Sequence, residues 1–197
     1  MKLKLIYCFA VLILAVAINH EVSASASQRI FKIGDSSVPI GKQYISPNKD
    51  YSVAQSELSN GDRRFLIKDL QTQKVDSSVN IDTIANYIFW NDDSQSFIGV
   101  MHIAQGSFAT IVYRKNGKWT STDYEPPYLG NTKKNIFQYN NITKLILMPN
   151  EVHIIYYVGF GPGVDDNTEM PDSKIYDIEV SLKTFKVINT KIMPTKE

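Results

Sequence analysis

The chain has 197 residues, of which 43% are apolar and 21% are charged, and its formal net charge is +1. This balance excludes wholesale disorder, and it offers no strongly basic or acidic character that would indicate a nucleic-acid partner or an anionic surface. Tyrosine and phenylalanine are abundant, which favours strands over helices. The length suits one domain of ordinary size.

The N-terminal segment 1–26 has the pattern of a secretory signal peptide. Two lysines precede an apolar run at residues 5–18, and a stretch of small residues ends at Ala26, where cleavage is expected. The alternative is a membrane anchor, but the apolar run is shorter than the ~20 residues that a spanning helix requires. We therefore expect a single all-β domain at residues 27–197 that is exported and has no membrane contact after cleavage.

The cysteine content fits this assignment. Cys8 is the only cysteine and lies inside the signal segment, so the mature domain would have neither a thiol nor a disulfide. An exported, cysteine-free chain rich in lysine, asparagine and isoleucine is typical of a bacterial protein, either periplasmic or secreted. Acidic and basic side chains are equal in number after cleavage, so charge gives no reason to expect nucleic acid as a partner.

Strand-like runs and turns alternate along the mature domain. Residues 29–33 form a first short strand, which we expect to close the fold against the C-terminus. Three units of four antiparallel strands follow, at about 43–79, 87–119 and 142–190. Their turns are rich in Asn, Asp, Gly and Pro, as in Asn60-Gly61-Asp62, because these residues adopt turn conformations readily. No amphipathic helix is predicted after the signal segment.

Segments within these units resemble a known family. Residues 45–51 (ISPNKDY) and 89–94 (FWNDDS) resemble the strand–turn–strand signature of WD40-like, TolB-type β-propeller blades. Residues 67–75 and 176–184 are similar to the outer hairpin of such blades. The resemblance implies a propeller-like fold of repeated four-stranded units, which serves as a binding scaffold and carries no particular chemistry.

The number of units departs from that family. Propellers have about 4–8 blades, whereas only three units are found along this chain. Three arrangements therefore stay open: a partial propeller, a ring completed by a second copy in a homodimer, or a related curved meander or sandwich.

The loop at residues 159–173 is the strongest candidate for a binding site. Its glycines and prolines indicate a shaped loop, and its carboxylates are hard oxygen ligands of the type that Ca²⁺ uses. The spacing is not that of an EF-hand, so no metal site is predicted, and a solvated acidic tip or a partner-binding loop remain as interpretations.

A second candidate is the loop at residues 121–135, the other insertion in the third unit. Two prolines stand between Tyr124 and Tyr128, which favours an extended, preordered segment suited to contact with a protein. A purely structural loop is the alternative. Trp90 is interpreted as a core residue and Trp119 as packing beside a turn. The residues predicted to bind a ligand or partner are Tyr124, Tyr128, Phe160, Asp165, Asp166, Glu169 and Asp172.

The histidines and acids form no recognisable catalytic or metal-binding motif. His102 and His153 each lie inside a strand, without the H-x-H or H-E-x-x-H spacing of zinc sites. Asp92 and Asp93 occupy a turn, where aspartate is favoured for backbone reasons. No catalytic residue, metal ligand or cofactor is therefore predicted.

Three function classes stay open. The favoured hypothesis is an exported, non-enzymatic binding protein that presents loops 121–135 and 159–173 to a protein partner or a small ligand. The alternative is an exported hydrolase of glycan or peptide that uses the acids of loop 159–173. A structural protein whose sheet edges pair with another chain is the third. An enzyme requires titratable groups that converge in a cleft, whereas a binding module requires an exposed loop or apolar patch.

Overall fold

The computed structural model describes residues 28–34, 38–81, 83–103, 106–128, 137–161 and 170–194. About 66% of these residues lie in strands, so the predicted all-β class is confirmed. No helix able to cross a membrane occurs within these ranges. The predicted signal peptide, residues 1–26, lies outside them.

Within the described ranges, twelve strands form three successive antiparallel meanders, preceded by β1 (Arg29–Lys32). The first meander contains β2 (Gln43–Ile45), β3 (Tyr51–Glu57), β4 (Arg63–Asp69) and β5 (Val75–Ile81). The second meander contains β6 (Ala85–Trp90), β7 (Ser96–Ile103), β8 (Gly106–Lys115) and β9 (Lys118–Tyr124). The third meander contains β10 (Phe137–Leu147), β11 (Glu151–Gly161), β12 (Lys174–Ser181) and β13 (Val187–Met193). Over the described ranges, no sheet closes into a ring.

The turns between strands follow the local sequence. Asn116 and Gly117 have φ values of 51° and 77°, which places both central residues of the β8–β9 hairpin in the left-handed region that this turn requires. Gly61 has a φ of 87° in the β3–β4 turn. These conformations are accessible to Asn and Gly at little cost, which is why the strands end where the sequence predicts.

In the described part of the chain, the second and third meanders and β1 form one nine-stranded sheet, the first meander is a separate sheet, and two apolar cores join them. Val53, Phe65 and Ile67 of the first meander pack against one face of the second, in a core that also contains Trp90 and Trp119. A second core joins the opposite face of the second meander to the third, and it includes Ile98, Ile111, Leu145, Ile154, Tyr156 and Ile178. Strands β7 and β8 are buried on both faces, so their sequences are almost continuously apolar instead of alternating.

The sequence predicts that the first strand pairs with the C-terminal strand, and this prediction is wrong. β1 instead runs antiparallel to β10, with Arg29 opposite Leu147, and Phe31 packs on Phe89 of β6 at 4.3 Å between ring centroids. β1 is therefore held between the second and third meanders, where side-chain packing with distant residues decides its place.

The second and third meanders also meet where Gly106 of β8 lies opposite Asn140 of β10. Gly106 has a φ of 133°, and a Cβ added there would lie 1.9 Å from the Asn140 carbonyl oxygen. Only glycine permits this close approach of two backbones. The contact places the start of β10 beside the end of β7.

Candidate functional site

Both loops predicted to carry function leave the same end of the third meander. The loop before β10 ends at Phe137, and the loop after β11 begins beyond Gly161, which is the residue paired with Phe137. Pro127 lies beside the start of β10, because its carbonyl oxygen accepts a hydrogen bond from Gln138 Nε2 at 3.1 Å. We call this region, residues 125–128, 137–139 and 159–161, the loop end.

Two exposed aromatic side chains flank that hydrogen bond. Tyr128 follows Pro127 and is 61% exposed, and Phe137 precedes Gln138 and is 49% exposed. Gln138 itself is buried and also donates to Asn140 Oδ1 at 2.7 Å. A buried amide thus fixes the two backbone segments from which the exposed rings project.

Glycines on β11 allow the aromatic rings of β10 to lie against the backbone. A Cβ added at Gly161 would lie 2.5 Å from the Phe137 ring, and one added at Gly159 would lie 2.2 Å from the Tyr139 ring. The rings of Phe137 and Tyr139 therefore occupy the space that side chains at Gly161 and Gly159 would fill. Phe137 rests on the sheet on one side, and half of its surface still faces solvent.

The predicted binding residues have different environments. Tyr128 and Asp172 are exposed, and Phe160 is half-buried, packed against the core between the second and third meanders. Asp165, Asp166 and Glu169 lie outside the described residues.

Tyr124 lies in β9, not in a loop, and is 4% exposed. Its hydroxyl donates to the Phe185 carbonyl oxygen at 2.8 Å, and burial raises its pKa to about 12. The side chain thus contributes to packing between the second and third meanders, and the predicted role as an exposed contact residue does not fit this position.

A group of charged residues that the sequence analysis did not identify lies on the outer face of the third meander. We call it the charged cluster, and it consists of Glu151, His153, Asp177, Glu179 and Lys191. His153 Nδ1 lies 3.0 Å from both carboxylate oxygens of Asp177, and its Nε2 lies 3.3 Å from Glu151 Oε1. The Lys191 ammonium group donates to Glu179.

The alternation of polar and apolar residues along β11 and β12 indicates which charged residues share a face of the sheet. Glu151 and His153 are two apart on β11, and Asp177 and Glu179 are two apart on β12, so each pair shares one face of its strand. The register pairs His153 with Glu179, which brings both sets together. This register was needed to find the cluster, since neither strand alone contains a motif.

The charged cluster is well shielded for an outer face. The side chains of His153, Asp177 and Glu179 are only 16%, 12% and 12% exposed. Burial lowers the pKa of His153, but hydrogen bonds to Asp177 and Glu151 outweigh it, so that the pKa is raised above its ordinary value. The hydrogen bond from Lys191 lowers the pKa of Glu179, and the same bond raises the pKa of Lys191.

The geometry of the cluster does not match a nucleophilic triad. In a triad, one histidine nitrogen faces a carboxylate and the other faces a serine or cysteine. Here both nitrogens face carboxylates, Asp177 on one side and Glu151 on the other. The arrangement can instead hold a positive charge, either a proton on the imidazole or a cation beside it.

No protein-family model and no curated protein matches this chain. Among solved structures, the hydrazine synthase of Kuenenia stuttgartiensis is similar at 9% sequence identity, with a TM-score of 0.34. The comparison covers 82% of this chain and 51% of that one, so the chain spans about half the length of that protein. A likeness at this level defines neither a family nor a shared fold.

Proposed function

We propose that the chain is an exported, non-enzymatic binding protein whose loop end contacts a protein partner. The observation that carries this proposal is the pair of exposed aromatic side chains, Tyr128 and Phe137, beside the segments that the sequence predicts to be binding loops. Exposed aromatic residues are enriched in protein interfaces, since they bury a large area and lose little conformational entropy. Both project from backbone that the Gln138 side chain holds in place.

The shape of the loop end favours a protein over a small molecule. The described part of the loop end presents two exposed rings, those of Tyr128 and Phe137. Small ligands bind in concave sites, whereas projecting rings fit into pockets on a partner. Support for export comes from the sequence of residues 1–26. The alternative of a hydrolase stays a prediction, because most of its acids lie outside the described residues.

Site-specific photocrosslinking in the expressing cell tests this proposal. A photoreactive phenylalanine analogue replaces Tyr128, Phe137 or, as a control, the exposed Asn150 at the opposite end of β11. We expect positions 128 and 137 to give the same discrete adduct and position 150 to give none. An adduct of twice the chain mass would identify a second copy as the partner. Absence of adducts at 128 and 137, or equal labelling at 150, would contradict the proposal.

A further inference from the structure

We infer that the charged cluster on the outer face of the third meander binds a divalent transition-metal ion of the zinc class. His153, Asp177 and Glu179 each offer one ligand atom, and these atoms all lie within 4.8 Å of one another. A set of one imidazole nitrogen and two carboxylate oxygens suits Zn²⁺ and its neighbours, whereas Ca²⁺ and Mg²⁺ prefer oxygen ligands alone.

The orientation of the imidazole supports this inference independently of the ligand set. Metal-binding histidines usually donate their second ring N–H to a carboxylate or carbonyl, which fixes the tautomer. In this structure Nδ1 faces Asp177, and Nε2 faces the Glu151 carboxylate at 3.3 Å. With the proton on Nε2, Glu151 accepts it and Nδ1 is free to act as the ligand. Glu151 is then a positioning residue that does not itself touch the metal.

The charge of the cluster also suits a divalent cation. Three carboxylates, those of Glu151, Asp177 and Glu179, face a single ammonium group when the imidazole is neutral. The cluster then carries an excess of two negative charges, and the three ligand side chains are largely shielded from solvent. Shielding strengthens the attraction between these carboxylates and a bound ion.

Lys191 acts as a competitor for the metal. Its ammonium group pairs with Glu179, and its side chain is 57% exposed, so it can turn into solvent when an ion binds. Removal of this lysine should therefore strengthen metal binding. If the cluster were only a network of ion pairs, the same change would leave an uncompensated carboxylate and no gain in metal affinity.

The first measurement is the affinity of the untagged, exported chain for Zn²⁺ alone, by competition with a chromogenic chelator at neutral pH. We expect one ion per chain, with no competition from Ca²⁺ or Mg²⁺. Asp177→Asn and His153→Gln should weaken binding at least tenfold, and Lys191→Met should strengthen it. Glu151→Gln should weaken it by roughly 10–100-fold, as expected for loss of an outer-shell partner. His102→Gln, at the other described histidine, serves as the matched control and should change nothing.

A second readout separates a site from a change in folding. Addition of Zn²⁺ should shift the imidazole signals of His153, and not those of His102, in the NMR spectrum of the parent chain. The inference is overturned if no stoichiometric binding occurs, if Asp177→Asn binds as tightly as the parent, or if Lys191→Met binds more weakly. These outcomes do not depend on the loop end, so they leave the proposed function untouched.

Discussion

The Tyr156 hydroxyl of the third meander donates its proton to the carbonyl oxygen of Tyr124 on the second meander. The same oxygen atom of Tyr156 accepts a hydrogen bond from the Ala109 backbone N–H at 3.2 Å. Tyr156 is fully buried, and burial raises the pKa of its phenol, which keeps the group protonated. One side chain thus satisfies two backbone groups of the second meander inside the second core.

Replacement of Tyr156 by Phe should therefore destabilise the protein. The change leaves the Tyr124 carbonyl and the Ala109 N–H without this partner in a buried site, which costs about 1–3 kcal/mol per unsatisfied group. Chemical denaturation of the two proteins measures the difference in free energy of unfolding. Tyr157→Phe is the control, because Tyr157 is half-buried on the outer face, where its hydroxyl donates to Ser173 Oγ at 2.9 Å and lies beside Tyr139. Equal losses for the two variants would contradict the role assigned to Tyr156.

A second prediction concerns the glycine at the junction of two meanders. Gly106→Ala would place a Cβ 1.9 Å from the Asn140 carbonyl oxygen in a backbone conformation that alanine rarely adopts. We expect a loss of about 3 kcal/mol or more, or failure to fold. Gly41→Ala is the matched control, because Gly41 also has positive φ but has no atom within 4 Å of the added Cβ. Its loss should be about 1–2 kcal/mol, and similar losses at both sites would argue against the close contact.

The charged cluster predicts a pH dependence of stability in the absence of metal. The pKa of His153 is raised in the folded state, so its contribution is fully present below the unfolded pKa and is lost as pH rises through the folded pKa. The groups that face His153 are Glu151 on its own strand, Asp177 and Glu179 on β12, Lys191 on β13 and the apolar Ile146 on β10.

Asp177→Asn tests this dependence, because it removes the carboxylate that holds the protonated imidazole. The free energy of unfolding should be measured with a chelator present, from mildly acidic to mildly alkaline pH. We expect the difference between parent and variant to be largest at the acidic end of this range and to shrink as His153 loses its proton. A difference that grows with pH would show that the neutral imidazole is the preferred form.

The pair of Glu179 and Lys191 should determine how stability falls at acidic pH. The pKa of Glu179 is lowered by the hydrogen bond from Lys191, so its contribution is present above the unfolded pKa and is lost as pH falls through the folded pKa. Glu179→Gln should therefore flatten the loss of stability at acidic pH, below the range in which His153 titrates. Unchanged acid unfolding in this variant would mean that the pair contributes little.

The sequence predicts most of the local structure but little of how distant parts meet. Turns rich in Asn and Gly, such as Asn116-Gly117, form hairpins, because turn conformation depends on the turn residues themselves. The sequence predicts that Trp119 packs beside a turn, whereas the structure buries it between two meanders, with its Nε1 donating to Asp76 at 2.7 Å. The predicted partner strand of β1 is also wrong, because the packing of Phe31 on Phe89 leaves no pattern in the local sequence.

The candidate sites show the same contrast between local features, which the sequence predicts, and contacts between distant residues, which it does not. Tyr128 could be identified from the loop that contains it, since two prolines and a tyrosine on a connecting segment are visible locally. Phe137 could not, because its ring packs on Gly161 of the neighbouring strand, and that pairing is not visible in the local sequence. The charged cluster required the register between β11 and β12, which no single strand specifies.

We propose that Tyr128 contacts a partner and does not stabilise the fold. The most direct measurement is photocrosslinking from position 137 in chains with and without Tyr128→Ser, together with the free energy of unfolding of the Tyr128→Ser chain. Because Tyr128 is exposed, we expect stability to change by no more than about 0.5 kcal/mol, while the adduct from position 137 is lost. An unchanged adduct, or a large loss of stability, would contradict the assignment of the loop end as a binding surface.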